Sequence, residues 1–229
     1  MKKVYTLFAP MLLAVMILTT SLTQAQVTSG PSDIVTPPPT AASDVGKVLC
    51  YGQGISISGP YETGTTDYAV YHWYKIDPSG NKQLTSITGR TYTETTGAAG
   101  YYNYQVVTEN ANGCTSPISD VFKIYVLPQL NVTVTTPVAS MCAVGTNATL
   151  LTANVTPASG YTYTYQWTRN GTPIAGATAS TYSVANETTA ATVTFGVTVA
   201  YTLNSSCTSS ATEAITVTPL PTKPLITAN

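Results

Sequence analysis

The most regular pattern in the chain is an alternation of apolar and polar residues with a period of two. It is clearest over residues 161–168, where threonine and glutamine separate four aromatic residues, Tyr161, Tyr163, Tyr165 and Trp167. Alternation of this kind predicts a β-strand with one apolar and one polar face. Clusters of turn-forming residues interrupt the apolar segments at short intervals, as at residues 78–81, 109–113 and 169–172. No segment has a convincing helical period, so the pattern predicts an all-β protein.

The chain contains this pattern twice. Two cysteines and the tryptophan between them recur at offsets of 92, 94 and 93 residues, so that Cys50, Trp73 and Cys114 correspond to Cys142, Trp167 and Cys207. A fixed period of this length is typical of a repeated domain. Each copy also closes on a Leu-Pro pair, at residues 127–128 and 220–221. We therefore expect one domain at residues 46–128 and a second at residues 129–221.

Each copy is long enough for seven short strands. In the second copy we place them near residues 130–140, 147–156, 161–169, 172–176, 180–185, 192–203 and 209–218. Seven strands in about 90 residues, with a tryptophan on the third, indicate a β-sandwich of the immunoglobulin type. The fold class that we expect is therefore all-β, with two tandem immunoglobulin-like β-sandwich domains. Trp73 and Trp167 should then lie between the two sheets of their own domains.

Four short motifs connect the first copy to a known family. They are Cys-x-Gly-x-x-Ile at 50–55, Tyr-x-Trp-Tyr at 71–74, Gly-x-Tyr-x-Tyr-x-Val at 100–106 and Asn-Gly-Cys at 112–114. With these motifs the chain resembles the immunoglobulin-like repeats of secreted and surface proteins of Bacteroidetes bacteria, which occur in tandem in adhesin-like and gliding-associated proteins. The resemblance implies a surface module and, through the Gly-x-Tyr motif, a core position for Tyr102. The second copy departs from the family, because residues 192–202 contain no Gly-x-Tyr.

The first 25 residues have the order of a secretory signal peptide. Lys2 and Lys3 precede an apolar run, and Thr23 and Ala25 put small residues at the −3 and −1 positions of a cleavage site. The apolar run is shorter than the roughly 20 residues that span a bilayer, and an uncleaved N-terminal anchor is the alternative. Residues 26–45 are rich in Pro, Ser and Thr and should form an extended stalk, whereas residues 222–229 should form a short tail. We expect a secreted or cell-surface protein with no transmembrane segment after signal cleavage.

Export favours disulfide bonds, because thiols pair outside the cytoplasm. Four cysteines allow three pairings, of which we choose Cys50–Cys114 with Cys142–Cys207, because a repeated domain should be self-contained. A zinc site is not expected, since no two cysteines have Cys-x2-Cys spacing and the single histidine has no partner histidine. We also expect few contacts across the junction at residues 127–128, so that each domain unfolds separately.

The composition argues against several classes of function. Only 8% of the residues are charged and the formal net charge is −1, which does not suit a nucleic-acid or acidic-membrane partner. His72 is the only histidine, the residue type that most often serves as a catalytic base, and its place before Trp73 in a strand should point it away from the core. The carboxylates are scattered without a close pair, and no calcium loop of the Asp-x-Asp-x-Asp-Gly type occurs. We therefore expect no enzymatic activity, no metal and no cofactor.

One surface of the first domain has the composition of a binding site. If Trp73 faces the core, the alternation places Tyr68, His72 and Tyr74 outward, with Tyr101 beside them on the neighbouring strand. Exposed tyrosines suit contact with a protein or stacking on a sugar ring. The alternative interpretation is that these tyrosines pack against the second domain or follow ordinary strand propensity.

These observations lead to one functional hypothesis and two alternatives. The leading hypothesis is a secreted or cell-surface, non-enzymatic protein that acts as a spacer, adhesion or protein-interaction module, with a protein or glycan partner at the cell surface. One alternative is a carbohydrate-binding accessory module, which the outward tyrosines favour. The other is a subunit of an extracellular fibre, in which the N-terminal stretch lends a strand to a neighbouring copy.

Overall fold

The structure, a computed structural model, describes residues 30–143, 148–185 and 187–226 of the chain. The predicted signal peptide lies outside the described residues. Within them the chain forms fifteen β-strands and one short 3-10 helix, Ala42–Asp44. The protein is all-β, as the alternation of apolar and polar residues predicts.

The first domain is a two-sheet sandwich of seven strands. They are β1 (Lys47–Leu49), β2 (Ile55–Ser58), β3 (Val70–Ile76), β4 (Lys82–Leu84), β5 (Thr91–Glu94), β6 (Gly100–Glu109) and β7 (Phe122–Val126). The larger sheet has the order β1-β7-β6-β3-β4, and the smaller sheet pairs β2 with β5. β1 runs parallel to β7, whereas the other neighbours are antiparallel.

The second domain repeats this architecture. Its strands are β8 (Asn131–Thr135), β9 (Ser140–Cys142), β10 (Thr149–Thr156), β11 (Tyr163–Arg169), β12 (Thr172–Pro173), β13 (Thr181–Val184), β14 (Thr192–Tyr201) and β15 (Thr208–Thr218). The larger sheet has the order β12-β11-β14-β15-β9, and the smaller has the order β13-β10-β8. β9 is parallel to β15, as β1 is to β7.

The two tryptophans occupy equivalent positions in the two cores. Trp73 on β3 is 3% exposed and Trp167 on β11 is 0% exposed. Each indole Nε1 donates a hydrogen bond of 2.9 Å to a backbone carbonyl, that of Gly89 in the first domain and that of Ala179 in the second. A buried indole needs such an acceptor, because its N–H has left water. The sequence period is therefore also a structural period.

The start of the second domain differs from the prediction of one strand over residues 130–140. β8 pairs with β10 in the smaller sheet, whereas β9 pairs with β15 in the larger sheet. Pro137 lies between β8 and β9 and has no N–H to donate to a sheet ladder. The chain therefore leaves one sheet and joins the other at this proline.

The first domain has no counterpart of β8 among the described residues. Its smaller sheet has two strands, whereas that of the second domain has three. The repeat places Pro38 and Pro39 at the positions where β8 begins, and proline cannot donate to a ladder. The edge of β2 is therefore open on the side where β8 covers β10.

Residues 30–45, for which the composition predicts an extended stalk, lie instead against the folded domains. Ser32 and Asp33 form antiparallel backbone hydrogen bonds of 2.6 to 3.2 Å with Tyr101 on β6. β3 pairs with β6 only as far as Tyr104, so the backbone groups of Tyr101 are available to this segment. Hydrogen bonds from the side chain and backbone of Thr36 lower the pKa of the Asp33 carboxyl.

Candidate functional site

A disulfide bond joins the two domains. Cys50, which follows β1, is bonded to Cys207, which precedes β15, and their Cα atoms are 5.3 Å apart. Cys114 and Cys142 are free. The predicted pairing of Cys50 with Cys114 and of Cys142 with Cys207 is therefore wrong.

The physical reason is that the two cysteines of one domain lie at its opposite ends. Cys50 lies at the junction, whereas Cys114 lies in the loop between β6 and β7 at the far end of the first domain. The ten residues of β6 separate these ends, which corresponds to roughly 33 Å at the rise of a β-strand. A disulfide needs Cα atoms within about 7 Å, so the bond within the domain is out of reach.

A cluster of tyrosines fills the junction beside the disulfide. Its members, here called the junction cluster, are Tyr101, Tyr125, Leu127, Tyr161 and Tyr201. The ring centroids of Tyr101 and Tyr125 are 4.7 Å apart, and those of Tyr161 and Tyr201 are 5.3 Å apart, both in edge-to-face geometry. Leu127 is 0% exposed. The junction is thus a small hydrophobic core shared by the two domains.

Two side-chain hydrogen bonds cross the junction. The hydroxyl oxygens of Tyr125 and Tyr161 are 2.7 Å apart. The Asn204 side chain donates from Nδ2 to the carbonyl of Val48 over 2.9 Å. These bonds satisfy polar groups that the apolar contact removes from water, so the junction carries little desolvation cost at these groups.

The linker between β7 and β8, residues 127–130, is held on both sides. The N–H of Leu127 donates to the carbonyl of Leu49 over 2.9 Å, and the Tyr201 hydroxyl donates to the carbonyl of Pro128 over 3.0 Å. Leu130 packs against both the junction and the core of the second domain. The expectation that few contacts cross residues 127–128 is therefore wrong.

Burial raises the pKa of the junction tyrosines. Desolvation is the largest cause for Tyr101, Tyr125 and Tyr201, because an ionised phenolate would lose its water in this cluster. The neutral phenols are therefore the form that packs, and their hydroxyls remain available as hydrogen-bond donors.

The segment before the first domain also touches the junction. The Tyr101 hydroxyl donates to the carbonyl of Pro37 over 2.9 Å. Pro38 and Pro39 line a shallow depression of about 360 Å³ together with residues 160–162 and Leu203 of the second domain. The segment thus lies across both domains, where it can resist bending at the linker.

The core of the first domain contains a charged pair that the sequence pattern did not predict. Lys75 on β3 is 2% exposed, and its ammonium group pairs with the carboxylate of Glu94 on β5. The other carboxylate oxygen accepts hydrogen bonds of 2.8 Å from the hydroxyls of Tyr92 and Tyr104. Lys75 Nζ also lies 5.1 Å from the ring centroid of Tyr102. The buried charges are thus compensated by partners, as burial requires.

This network connects the two sheets of the first domain. Lys75 and Tyr104 belong to the larger sheet, whereas Tyr92 and Glu94 belong to the smaller one. Burial, and next to it the negative charge of Glu94, raises the pKa of Tyr92 and of Tyr104. Both phenols therefore stay protonated and donate hydrogen bonds. The signal in the sequence was the position of Lys75, which shares the period-two core face with Trp73.

The four residues of the predicted binding face do not share one surface. Tyr101 is buried in the junction cluster, and Tyr68 packs against the core of the first domain. Only His72 and Tyr74 lie on the outward face of β3, and both are half-buried. His72 Nε2 lies 3.0 Å from a carboxylate oxygen of Glu109. The prediction of a single tyrosine-rich face is therefore wrong, because packing at the junction accounts for Tyr101.

Two amide oxygens on the outward face of β6 have no hydrogen-bond partner in the described part of the chain. They are Asn103 Oδ1 and Gln105 Oε1, both buried. Gln105 lies directly opposite Tyr74 in the β3–β6 ladder, and Asn103 follows on the same face. A buried acceptor without a partner costs about 1–3 kcal/mol.

A cleft of about 420 Å³ opens beside the free edge of β2. Its lining combines polar and aromatic side chains, including Ser56, Ser58, Trp73 and Phe122. In the second domain β8 packs against β15 in the corresponding place. The cleft therefore lies where the first domain lacks the strand that β8 supplies to the second.

The described ranges contain no group of three or more His, Cys, Asp or Glu side chains that could hold a metal ion. In the same ranges no helix is long and apolar enough to cross a membrane. The junction, the outward face of β3 with Tyr74, and the cleft are the features that remain for a function in binding.

No family model and no curated protein matches the chain. The chain is similar to fibronectin(III)-like modules of Clostridium thermocellum CbhA, with 18% identity, a TM-score of 0.43 and coverage of 86% of this chain and 100% of that one. It is similar to an amphioxus IgVJ-C2 molecule, with 18% identity, a TM-score of 0.38 and coverage of 74% and 99%. For three domains of the bacteriophage RB49 outer capsid protein Hoc, identity is 20%, the TM-score is 0.36 and coverage is 74% and 56%.

The strand order defines the class of protein to which the chain belongs. Each domain has two packed sheets with a buried tryptophan on the strand next to the centre of the larger sheet, which is the arrangement of an immunoglobulin-like sandwich. The protein is thus a tandem of two immunoglobulin-like domains, and the likeness to solved structures concerns the fold alone.

Proposed function

We propose that the protein is a rigid, non-enzymatic two-domain spacer that presents an interaction surface at a bacterial cell surface. The observation that carries the proposal is the disulfide between Cys50 and Cys207, which fixes one domain to the other. Tandem domains move relative to each other unless their interface is large or apolar. Here a covalent bond, the junction cluster and a held linker all oppose that motion.

The location outside the cytoplasm rests on the disulfide and on the predicted signal peptide. Disulfides persist in oxidising compartments and are rare in the cytosol. The resemblance to tandem surface repeats of Bacteroidetes proteins supports the same location and an adhesin-like or gliding-associated context. In such a context a stiff spacer holds a binding surface at a fixed distance from its anchor.

Small-angle X-ray scattering tests the rigidity of the spacer. Both variants carry Cys114→Ser/Cys142→Ser, which removes the two free thiols. The junction variant also carries Cys50→Ser/Cys207→Ser, which removes the junction disulfide, whereas the matched variant keeps that disulfide. We expect the matched variant to fit a single elongated conformer and the junction variant to require an ensemble of inter-domain angles. Equal flexibility in the two variants would rule out the rigid spacer.

A second candidate function is binding of a carbohydrate, which the half-buried Tyr74 on the outward face of β3 favours. The ring of this tyrosine can stack on a sugar face. A polysaccharide screen followed by calorimetry tests this function. Saturable binding should be lost in Tyr74→Ala and kept in Tyr51→Ala, a substitution of an exposed tyrosine elsewhere. Equal binding by both variants would place the sugar at another surface.

A further inference from the structure

We propose that copies of this chain join head to tail through a disulfide between Cys142 of one copy and Cys114 of the next. The inference rests on the spacer function and extends it from one spacer to a chain of spacers. Its basis is the junction inside the molecule. The two positions that are bonded there are repeated, as free thiols, at the two outer ends.

Cys114 occupies the same structural position as Cys207. The carbonyl of Cys207 accepts a backbone hydrogen bond of 3.2 Å from Tyr201, and the carbonyl of Cys114 accepts one of 3.0 Å from Asn110. Each cysteine therefore closes the loop that leads into the last strand region of its domain. Cys114 is exposed, so the first domain presents outward the thiol that the second domain uses at the junction.

Cys142 occupies the position that corresponds to Cys50. It ends β9, and Cys50 follows β1, and each of these strands runs parallel to the last strand of its domain. β15 has eleven residues, and Cys142 lies beside its end at Thr218. Cys142 is thus roughly 33 Å from the junction, at the rise of a β-strand, and Cys114 is at the opposite end of the molecule. The two thiols cannot reach each other within one chain, so a bond between Cys142 and Cys114 joins two copies.

Apolar residues at the outer end of the second domain support a partner there. The 93-residue period relates Leu127 to Leu220 and Val132 to Leu225. Leu127 and Val132 are 0% and 9% exposed, whereas Leu220 and Leu225 are 54% and 88% exposed. Leu127 is buried by the internal junction and Val132 by the core of the second domain, whereas their repeat positions at the outer end are exposed.

The first domain of a second copy has an open place for residues 222–226. Its β2 edge has no strand beside it among the described residues, and the cleft of about 420 Å³ lies along that edge. By the 93-residue period, residues 224–226 correspond to residues 131–133 at the start of β8, which fills this place in the second domain. An extended segment can add to such an edge as a further strand.

The non-covalent contact between two copies is weaker than the non-covalent contact at the internal junction. The 93-residue period puts Thr218 where Tyr125 stands in the first domain, so the aromatic half of the junction cluster is not repeated. Less apolar area is buried between copies, and the covalent bond supplies most of the stability. The association should therefore be reversible by a thiol reductant.

Oxidised glutathione, a small-molecule disulfide, serves as the oxidant. The thiolate of Cys114 attacks one sulfur of glutathione disulfide and releases one reduced glutathione. The thiolate of Cys142 from another copy then attacks the Cys114 sulfur of the mixed disulfide and releases the second. Two protein thiols become one disulfide, and one glutathione disulfide becomes two thiols with the two protons that the cysteines gave up.

Mixing two single variants tests the pairing directly. The variant Cys114→Ser keeps only the Cys142 thiol, and Cys142→Ser keeps only Cys114, so neither can extend a chain alone. In glutathione redox buffer we expect the mixture to form a dimer that stops at two copies, about tenfold more of it than either variant alone, because docking raises the effective thiol concentration. Peptide mapping should find Cys142 linked to Cys114. Equal dimer yields in the mixture and in each variant alone would overturn the proposal.

A second pair of variants tests the docked segment. In the Cys114→Ser partner, Leu225→Ser should slow formation of the mixed dimer, whereas Thr222→Ser, a neighbouring exposed polar position, should not. Equal rates for the two would show that residues 222–226 do not dock and would contradict this part of the proposal. Rigidity within one copy is measured on a variant that lacks both free thiols, so its outcome is independent of this result.

Discussion

Replacing Cys50 and Cys207 by serine is expected to lower the free energy of unfolding by as much as about 5 kcal/mol. The two cysteines are 157 residues apart in the chain, and cross-linking a loop of that length removes about 5 kcal/mol of chain entropy from the unfolded state. Measured losses for native disulfides are commonly about 2–4 kcal/mol, so the entropy value is an upper figure. A loss of this size is a large part of the stability of a small domain.

Guanidinium unfolding in the Cys114→Ser/Cys142→Ser background isolates this effect. Circular dichroism and fluorescence of the buried Trp73 and Trp167 report on the two cores. With the junction disulfide present we expect one coupled transition. Without the disulfide the guanidinium midpoint should fall and the transition should separate into two. Each domain then unfolds at a denaturant concentration set by its own free energy of unfolding. Superimposable curves with and without the disulfide would refute the coupling that the junction is inferred to provide.

Three further predictions concern the cores and the junction. Trp167→Ala should lower the free energy of unfolding of the second domain by about 3–5 kcal/mol. It should also lower the melting temperature of the first domain. Calorimetry that shows an unchanged melting temperature for the first domain would contradict coupling between the domains. Glu94→Gln leaves the buried ammonium of Lys75 without a counter-charge and should lower the free energy of unfolding in urea by about 3–5 kcal/mol. Glu187→Gln, at a partly exposed ion pair, should lower it by less than about 1 kcal/mol, and equal losses in the two variants would contradict the role of the buried pair. The pKa of Tyr125 is raised above the ordinary value of 10.0, so the unfolded state releases this proton first. Stability should therefore be unaffected by this group below pH 10 and fall as the pH rises above it, with tyrosinate absorbance rising together with unfolding; ionisation of all tyrosines near pH 10 without unfolding would contradict the burial.

The fold could be predicted from the sequence because its signals are local. Alternating residues such as Tyr163, Tyr165 and Trp167 mark one strand each, and the recurring cysteines and tryptophans mark the period. The structure shows the two sandwiches and, outside residues 130–140, the strands that were predicted for the second domain. Where the prediction of one strand at residues 130–140 failed, Pro137 was the local signal that it overlooked.

The junction could not be predicted in the same way, because it depends on which end of each sandwich a residue occupies. Cys50 and Cys114 belong to one repeat in sequence but lie at opposite ends of the folded domain, whereas Cys207 of the other repeat lies beside Cys50. The period-two pattern of β6 places Tyr101 on the outward face of the strand. In the structure the second domain and residues 30–45 cover this residue. Period-two patterns distinguish the two faces of a strand and contain no information about neighbouring domains.

A peptide map of the unreduced protein tests the central claim most directly. The claim is that a disulfide bond joins the two immunoglobulin-like domains into one unit, so that they are not independent modules. After alkylation of free thiols and proteolysis without reductant, mass spectrometry should find the peptide of Cys50 linked to that of Cys207. A peptide of Cys50 linked to Cys114, with Cys142 linked to Cys207, would contradict the disulfide between the domains. Each domain would then contain its own disulfide.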